Sequence, residues 1–267
     1  MPFAHLNGID LYYESHGDGP GLVLAHGAGG NHLSWWQQVP AFAARFRCIT
    51  FDHRAFGLSR DGEGEARRGR TAFHEDLREL LDFLGIERAS IVAQSMGGRT
   101  TVGFALRNPG RCTAMVLAGT TGGAIDEDIR ERQEAYRETD IGRLPLGRRA
   151  VSPQLRERAA AREFLYRSIA KLNPSRPRDF LAPIVGYRGS SAERLAQADF
   201  PVLFLVGDHD AVTPPEIIER CHRAVPGSRL AVIENSGHST YFEQPEAFNE
   251  AVMAFLGDAL ASSTDRS

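Results

Sequence analysis

Ile91-Val92-Ala93-Gln94-Ser95-Met96-Gly97-Gly98 joins an apolar strand-like run to the start of a helical pattern through a single serine. Small residues flank that serine: Ala93 before it, Gly97 and Gly98 after it. The pattern is that of a nucleophile elbow, a tight strand-to-helix turn that lifts one hydroxyl above the top of a sheet. Strain in such a turn excludes bulky neighbours. Glycine is usual at the first small position, and Ala93 departs from it. A helix predicted from Met96 brings unpaired N–H groups and the positive end of its dipole beside the hydroxyl, which favours negative charge there.

The same alternation extends on both sides of the elbow. Short β-type runs at Phe3–Leu6 and Ile9–Glu14, split by Asn7-Gly8, predict a hairpin. Strands follow at Gly21–Ala25, Arg47–Phe51, Ala89–Ala93, Ala114–Ala118, Val202–Val206 and Arg229–Ile233. Helical spacing is read at Leu33–Ala44, Thr71–Leu84, Met96–Arg107, Pro215–Ala224 and Pro245–Leu256. Alternating strands and helices with short links predict an α/β protein, its mostly parallel eight-stranded sheet covered on both faces.

The alternation stops at Gly122-Gly123. Residues 123–199 are charged, arginine-rich and helical, and Pro145, Pro153, Pro174, Pro177 and Pro183 divide them into about four short helices. The expected organisation is a core of residues 1–122 and 200–260, an inserted helical unit at 123–199, and a flexible polar tail at 261–267.

Composition narrows the function classes. With 42% hydrophobic and 24% charged residues, the 267-residue chain can bury a core. A net charge of −3 offers nucleic acid no global attraction. No apolar run is long enough to span a membrane, and the N-terminus lacks a leader pattern, so a cytoplasmic location is expected. Cys48, Cys112 and Cys221 are far apart and lack metal-ligand spacing, so neither a disulfide framework nor a metal site is expected. Oligomeric state stays open, a homodimer included.

A serine hydroxyl needs a base within hydrogen-bond reach and an acid to orient that base. The chain offers both at strand ends. Gly207-Asp208-His209-Asp210 follows one strand, and Ser236-Gly237-His238 follows the last. Loops after the carboxyl ends of parallel strands converge on one edge, so Ser95, Asp210 and His238 are expected to meet there.

Four motifs in register carry a resemblance to the α/β-hydrolase superfamily from about His5 to Leu256. His26-Gly27-Ala28-Gly29-Gly30 resembles the family's oxyanion loop. Asp52-His53-Arg54-Ala55-Phe56-Gly57-Leu58-Ser59 resembles its Asp-x-Arg-Gly-x-Gly-x-Ser loop, with Ala55 in place of a glycine. The elbow is the third motif, and Gly207–Asp210 with Gly237-His238 is the fourth. The resemblance implies a helical cap between the sixth and seventh strands. It also implies a Ser95–His238–Asp210 triad, an oxyanion hole of the Ala28 and Met96 N–H groups, and no cofactor.

Other residues carry weaker readings. Asp208 reads as a loop or capping carboxylate beside Asp210, and His26, Asp52, His53 and Arg54 as loop-fixing residues. Gly27, Trp35 and Gln94 are candidate substrate contacts. Arg99 reads as a surface or salt-bridge residue. The arginines of the inserted unit read as a solvated face, one of them in reach of an anionic substrate. The expected activity is hydrolysis of a small ester or lactone. Carbon–carbon bond hydrolysis of the meta-cleavage type and a receptor-like protein with little turnover are the alternatives. Gln94 in place of asparagine, and a His26 loop without Gly-Pro-Gly, count against the former.

Overall fold

The computed structural model describes residues 2–123, 125–177, 180 and 192–264. The predicted helix break at Pro183 and the last tail residues, 265–267, lie outside them.

Strands β1 (Phe3–Leu6) and β2 (Ile9–His16) form the predicted hairpin. Asn7 and Gly8 both take positive φ, 47° and 76°, as the tight turn requires. Next come β3 (Gly21–Ala25), α1 (Val39–Phe42), β4 (Arg47–Phe51), α2 (Phe73–Phe83), β5 (Ala89–Gln94), α3 (Met96–Arg107) and β6 (Cys112–Ala118). Among the described residues, five helices follow, α4 (Glu127–Arg137), α5 (Leu146–Arg149), α6 (Pro153–Arg158), α7 (Ala160–Lys171) and α8 (Ala192–Ala196). The chain then returns through β7 (Val202–Gly207), α9 (Pro215–Ala224), β8 (Arg229–Ile233), α10 (Thr240–Glu243) and α11 (Pro245–Thr264).

The eight strands make one sheet in the order β1-β2-β4-β3-β5-β6-β7-β8, antiparallel at β1-β2 and β2-β4 and parallel elsewhere. The central strands are buried on both faces, and their side chains alternate between two cores. Val23, Ile91, Leu117 and Phe204 face one layer; Leu24, Val92, Val116 and Leu205 face the other. The connection from β3 to β4 runs to one side of β3 and that from β4 to β5 crosses to the other, so the switch point of the sheet lies between the parallel strands β3 and β5.

Two local expectations differ from the structure. The single helix read at Leu33–Ala44 is a 3-10 turn at His32–Trp35 followed by α1. Asn31 and Ser34 cap that turn reciprocally, and Pro40 has no N–H to donate to the Trp36 carbonyl one turn back. The C-terminal helix continues through residues 261–264, where a polar tail was expected. Its apolar stripe, Val252, Leu256 and then Ala259 and Leu260, keeps packing on the core.

Candidate active site

Ser95, between β5 and α3, has φ 50° and ψ −114°, a conformation a non-glycine residue holds only under strain. The Ser95 N–H donates to the Ala118 carbonyl on β6 at 3.0 Å, and the Gly98 N–H donates to the Ser95 carbonyl at 3.0 Å. A side chain at Gly97 would collide with the Ala25 carbonyl oxygen, so this position requires glycine. Ala93, one residue inside the strand, is fully buried in the core, where a methyl is accommodated.

The loops after β7 and β8 bring two more groups to this point. His238 Nε2 lies 2.9 Å from Ser95 Oγ. Its Nδ1 lies 2.9 and 3.1 Å from the two carboxylate oxygens of Asp210. Asp210 in turn accepts the Val212 and Thr213 N–H groups at 2.7 and 2.8 Å, which fix its orientation. Asp210 and His238 are buried. Asp208 points elsewhere: it accepts the Asn235 and Ser236 N–H groups at 2.9 and 3.0 Å and ties the two loops together. Burial pushes its carboxyl up, but these bonds and His209 outweigh that and hold it below the usual range.

The loop after β3 faces the serine. Among the described residues, no acceptor takes the N–H of Ala28 or of Met96. The loop is shaped from below by a buried relay: the Thr100 hydroxyl meets His53 Nε2 at 3.2 Å, His53 Nδ1 meets His26 Nε2 at 3.1 Å, and His26 Nδ1 meets the Gly27 carbonyl at 2.8 Å. One tautomer of each ring satisfies the whole relay with both imidazoles neutral. Burial keeps them so, pushing His26 down to about 4 and His53 well below its usual value. The next loop is equally tied down. Asp52 accepts the His32 and Leu58 N–H groups at 2.7 Å each, and buried Arg54 pairs with Asp76 at 2.6 Å. Ala55, standing where the resemblance expects glycine, takes φ 66°.

The three substrate-contact candidates separate. Gln94 lines a cavity beside Ser95. Gly27 makes room for it, since a Cβ there would overlap the Gln94 side-chain oxygen. Trp35 is a correction: it is fully buried against Tyr241, with ring centroids 4.8 Å apart, and lines neither cavity at Ser95. The capped 3-10 turn directs the indole into the core, and Trp36 is left half-exposed near Phe242.

Two cavities of about 260 Å³ each open at Ser95 and share Ala28 and Leu146. One has a largely apolar wall that reaches His238, Gln94, Ala150, Tyr166 and Ala170, with Arg167 and Lys171 also lining it. The Ser239 hydroxyl donates to the Tyr166 hydroxyl at 3.0 Å, which holds that ring in the wall. The other is lined by Met96, Gly119, Thr120, Tyr136 and several arginines. Arg99, read from sequence as a surface or salt-bridge residue, is exposed and stands in this wall. Its spacing four residues after Ser95, one helical turn on the same face, is the signal that points there. A larger cavity of about 590 Å³ opens at Pro201 and Gly227 and includes none of Ser95, Asp210 and His238.

A buried acid, an imidazole and a strained serine in hydrogen-bond series at the carboxyl edge of a parallel sheet define a hydrolase-type site. Comparison with known proteins agrees. The sequence profile described as alpha/beta hydrolase fold matches residues 20–245, and the chain belongs to that family. It is 28% identical to a provisionally named carbamate hydrolase of Azorhizobium caulinodans, over 97% of this chain and 99% of that protein. It is 31% identical to a 2-hydroxy-6-oxononadienedioate/2-hydroxy-6-oxononatrienedioate hydrolase of Pseudomonas putida, over 93% and 92%. A solved esterase of Thermogutta terrifontis superposes with a TM-score of 0.77 at 27% identity, covering 94% of each chain. The protein is an enzyme of the hydrolase type.

Proposed function

We propose that this enzyme hydrolyses a small carboxylic ester or lactone through an acyl-enzyme on Ser95. The observation that carries the reading is the unbroken series Ser95 Oγ, His238 Nε2, His238 Nδ1 and Asp210, with both links at hydrogen-bond length. Ser95 attacks the carbonyl while His238 takes its proton. His238 then returns the proton to the leaving oxygen, and a water activated by the same imidazole releases the acid. Asp210 holds the tautomer and stabilises the imidazolium. The Ala28 and Met96 N–H groups receive the oxyanion, each worth about 3–4 kcal/mol in the transition state. On this reading residues 123–199 cap the core of residues 1–122 and 200–260. Leu146 and Tyr166 support that, because the segment supplies them to the cavity walls at Ser95.

The Pseudomonas relative supports a second reading, hydrolysis of a 2-hydroxy-6-oxo acid of the kind its name gives, on the same three residues. A panel of p-nitrophenyl esters from acetate to octanoate, several lactones and one vinylogous diketone acid separates the two. Ester or lactone turnover by the wild type, lost in Ser95→Ala with an unchanged melting temperature, is the expected result. Equal rates in both proteins contradict the assignment of Ser95, and turnover of the diketone alone favours the second reading.

A further inference from the structure

Arg176 lies just beyond α7, and its guanidinium is tied to two core loops at once. It donates to the Ala28 carbonyl at 3.3 Å and to the Ala55 carbonyl at 3.1 Å. Its Cζ stands 3.9 Å from the centre of the Phe56 ring, a cation–π contact. That ring also meets His26 edge-on, with centroids 5.0 Å apart. Two further hydrogen bonds fasten the stretch that carries Arg176. The Gly57 N–H donates to Asn173 Oδ1 at 2.9 Å, and Asn31 Nδ2 donates to the Ile169 carbonyl at 3.0 Å. Burial lowers the proton affinity of Arg176, as for a cation held partly out of water. The two carbonyls and the ring offset that cost.

Ala28 is where this clamp matters. Two peptide units meet at its Cα. The first carries the Ala28 N–H, which on the Ser95 reading receives the oxyanion, and the Gly27 carbonyl at its other end. His26 Nδ1 and the Gly30 N–H donate to that carbonyl at 2.8 and 3.0 Å. The second unit carries the Ala28 carbonyl, which Arg176 holds. Glycine stands on both sides of Ala28, so the chain there is not stiff by itself. Arg176 is not among the described residues that line either cavity at Ser95, so it is placed to act on Ala28 and not on substrate.

We propose that Arg176 is a positioning residue for the oxyanion hole. Gripping Ala28, Ala55 and Phe56 together, it fixes the direction of the Ala28 N–H, and the 123–199 segment thereby acts on the reaction rate. The proposal rests on the Ser95 hydrolase reading, with Ala28 as an oxyanion donor. Loss of the clamp misaims that donor rather than removing it. The cost falls on the transition state, where the negative oxygen forms, and not on ground-state binding.

The test compares wild type, Arg176→Gln and Arg176→Lys on a p-nitrophenyl ester and on a trifluoromethyl ketone with the same acyl chain. Ser95 Oγ adds to the ketone carbonyl, its proton passes to His238, and the carbonyl electron pair becomes an oxyanion in the hole. The expected kcat of Arg176→Gln is lower by about 10–100-fold, the range for a misplaced donor, with KM within about twofold. Inhibition by the trifluoromethyl ketone weakens by a like factor, and inhibition by the matching methyl ketone stays as in wild type. Arg176→Lys recovers part of kcat, since an ammonium reaches one carbonyl but lacks the planar fork and the stacking. A loss confined to KM, equal weakening of both ketones, or kcat unchanged in both variants overturns the proposal. Should Arg176→Gln fail to fold, the same readings on Arg176→Lys decide: a smaller loss of the same pattern supports the proposal, and no loss overturns it. Failure of the underlying reading looks different and withdraws the proposal with it: no ester is turned over by wild type, or Ser95→Ala matches wild type.

Discussion

Phe204 and Phe164 are the same residue with opposite fates. Phe204 on β7 is fully buried, and every residue of that strand is buried with it. Phe164 on α7 is 73% exposed, in a segment that also leaves Ile141, Leu144 and Leu172 at the surface. The sheet has apolar layers on both faces, so its side chains have few alternatives. Helices α4–α8 carry a high share of charge and bury few large side chains. Ser95, Asp210 and His238 stand on or beside strand ends, whereas Leu146, Arg149 and Tyr166 come from the segment. On the proposed reading the buried region holds the chemistry, and the segment joins it in walling the cavities where substrate sits.

The sharpest test within the buried region separates two carboxylates two residues apart. Asp210→Asn is expected to lower kcat by about 10³–10⁴-fold, because the amide no longer fixes the imidazole tautomer. Asp208→Asn is expected to leave kcat near wild type and lower unfolding free energy by about 1–2 kcal/mol, through two weakened bonds to the β8 loop. Equal losses of kcat in both variants would break the assignment.

Next in size is the phenylalanine pair itself. Phe204→Ala is expected to destabilise by about 3–5 kcal/mol through lost burial and a residual cavity. Phe164→Ala should change stability by no more than about 0.5 kcal/mol. Urea denaturation measures both, and similar values for the two would erase the contrast between the regions.

A smaller effect concerns pH. The folded chain keeps His26 neutral down to about pH 4, against an ordinary value of 6.5. Between those values the unfolded chain binds more protons, so stability falls as pH drops through the window. From pH 7 to pH 5 the expected loss from His26 is on the order of 2 kcal/mol, and His53 adds to it in the same direction. A flat urea midpoint across that range would show that the buried relay below the Ala28 loop is not held neutral.

The sequence made the buried region readable for a physical reason. A strand buried on both faces is written as an unbroken apolar run, so β3, β5 and β7 stand out, and Ser95, Asp208–Asp210 and His238 follow as strand-end residues. Choosing Asp210 over Asp208 needed the family pattern, since spacing alone allows either. Trp35 was misplaced because Pro40 and the Asn31 cap turn an apparent helix into two short pieces. Periodicity in the 123–199 segment announced helices but not which faces look toward Ser95. That depends on docking against the core, a tertiary property without a local signature. Arg99 is exposed, as its charge suggested, and its position one turn beyond Ser95 in the elbow helix also puts it in a cavity wall.

The central claim is that Ser95 becomes acylated. Rapid-quench mass spectrometry during turnover of a p-nitrophenyl ester tests it directly. The account predicts a transient mass gain equal to the acyl group on the peptide containing Ser95, absent from Ser95→Ala. An adduct on another residue, or undiminished turnover by Ser95→Ala, would contradict it.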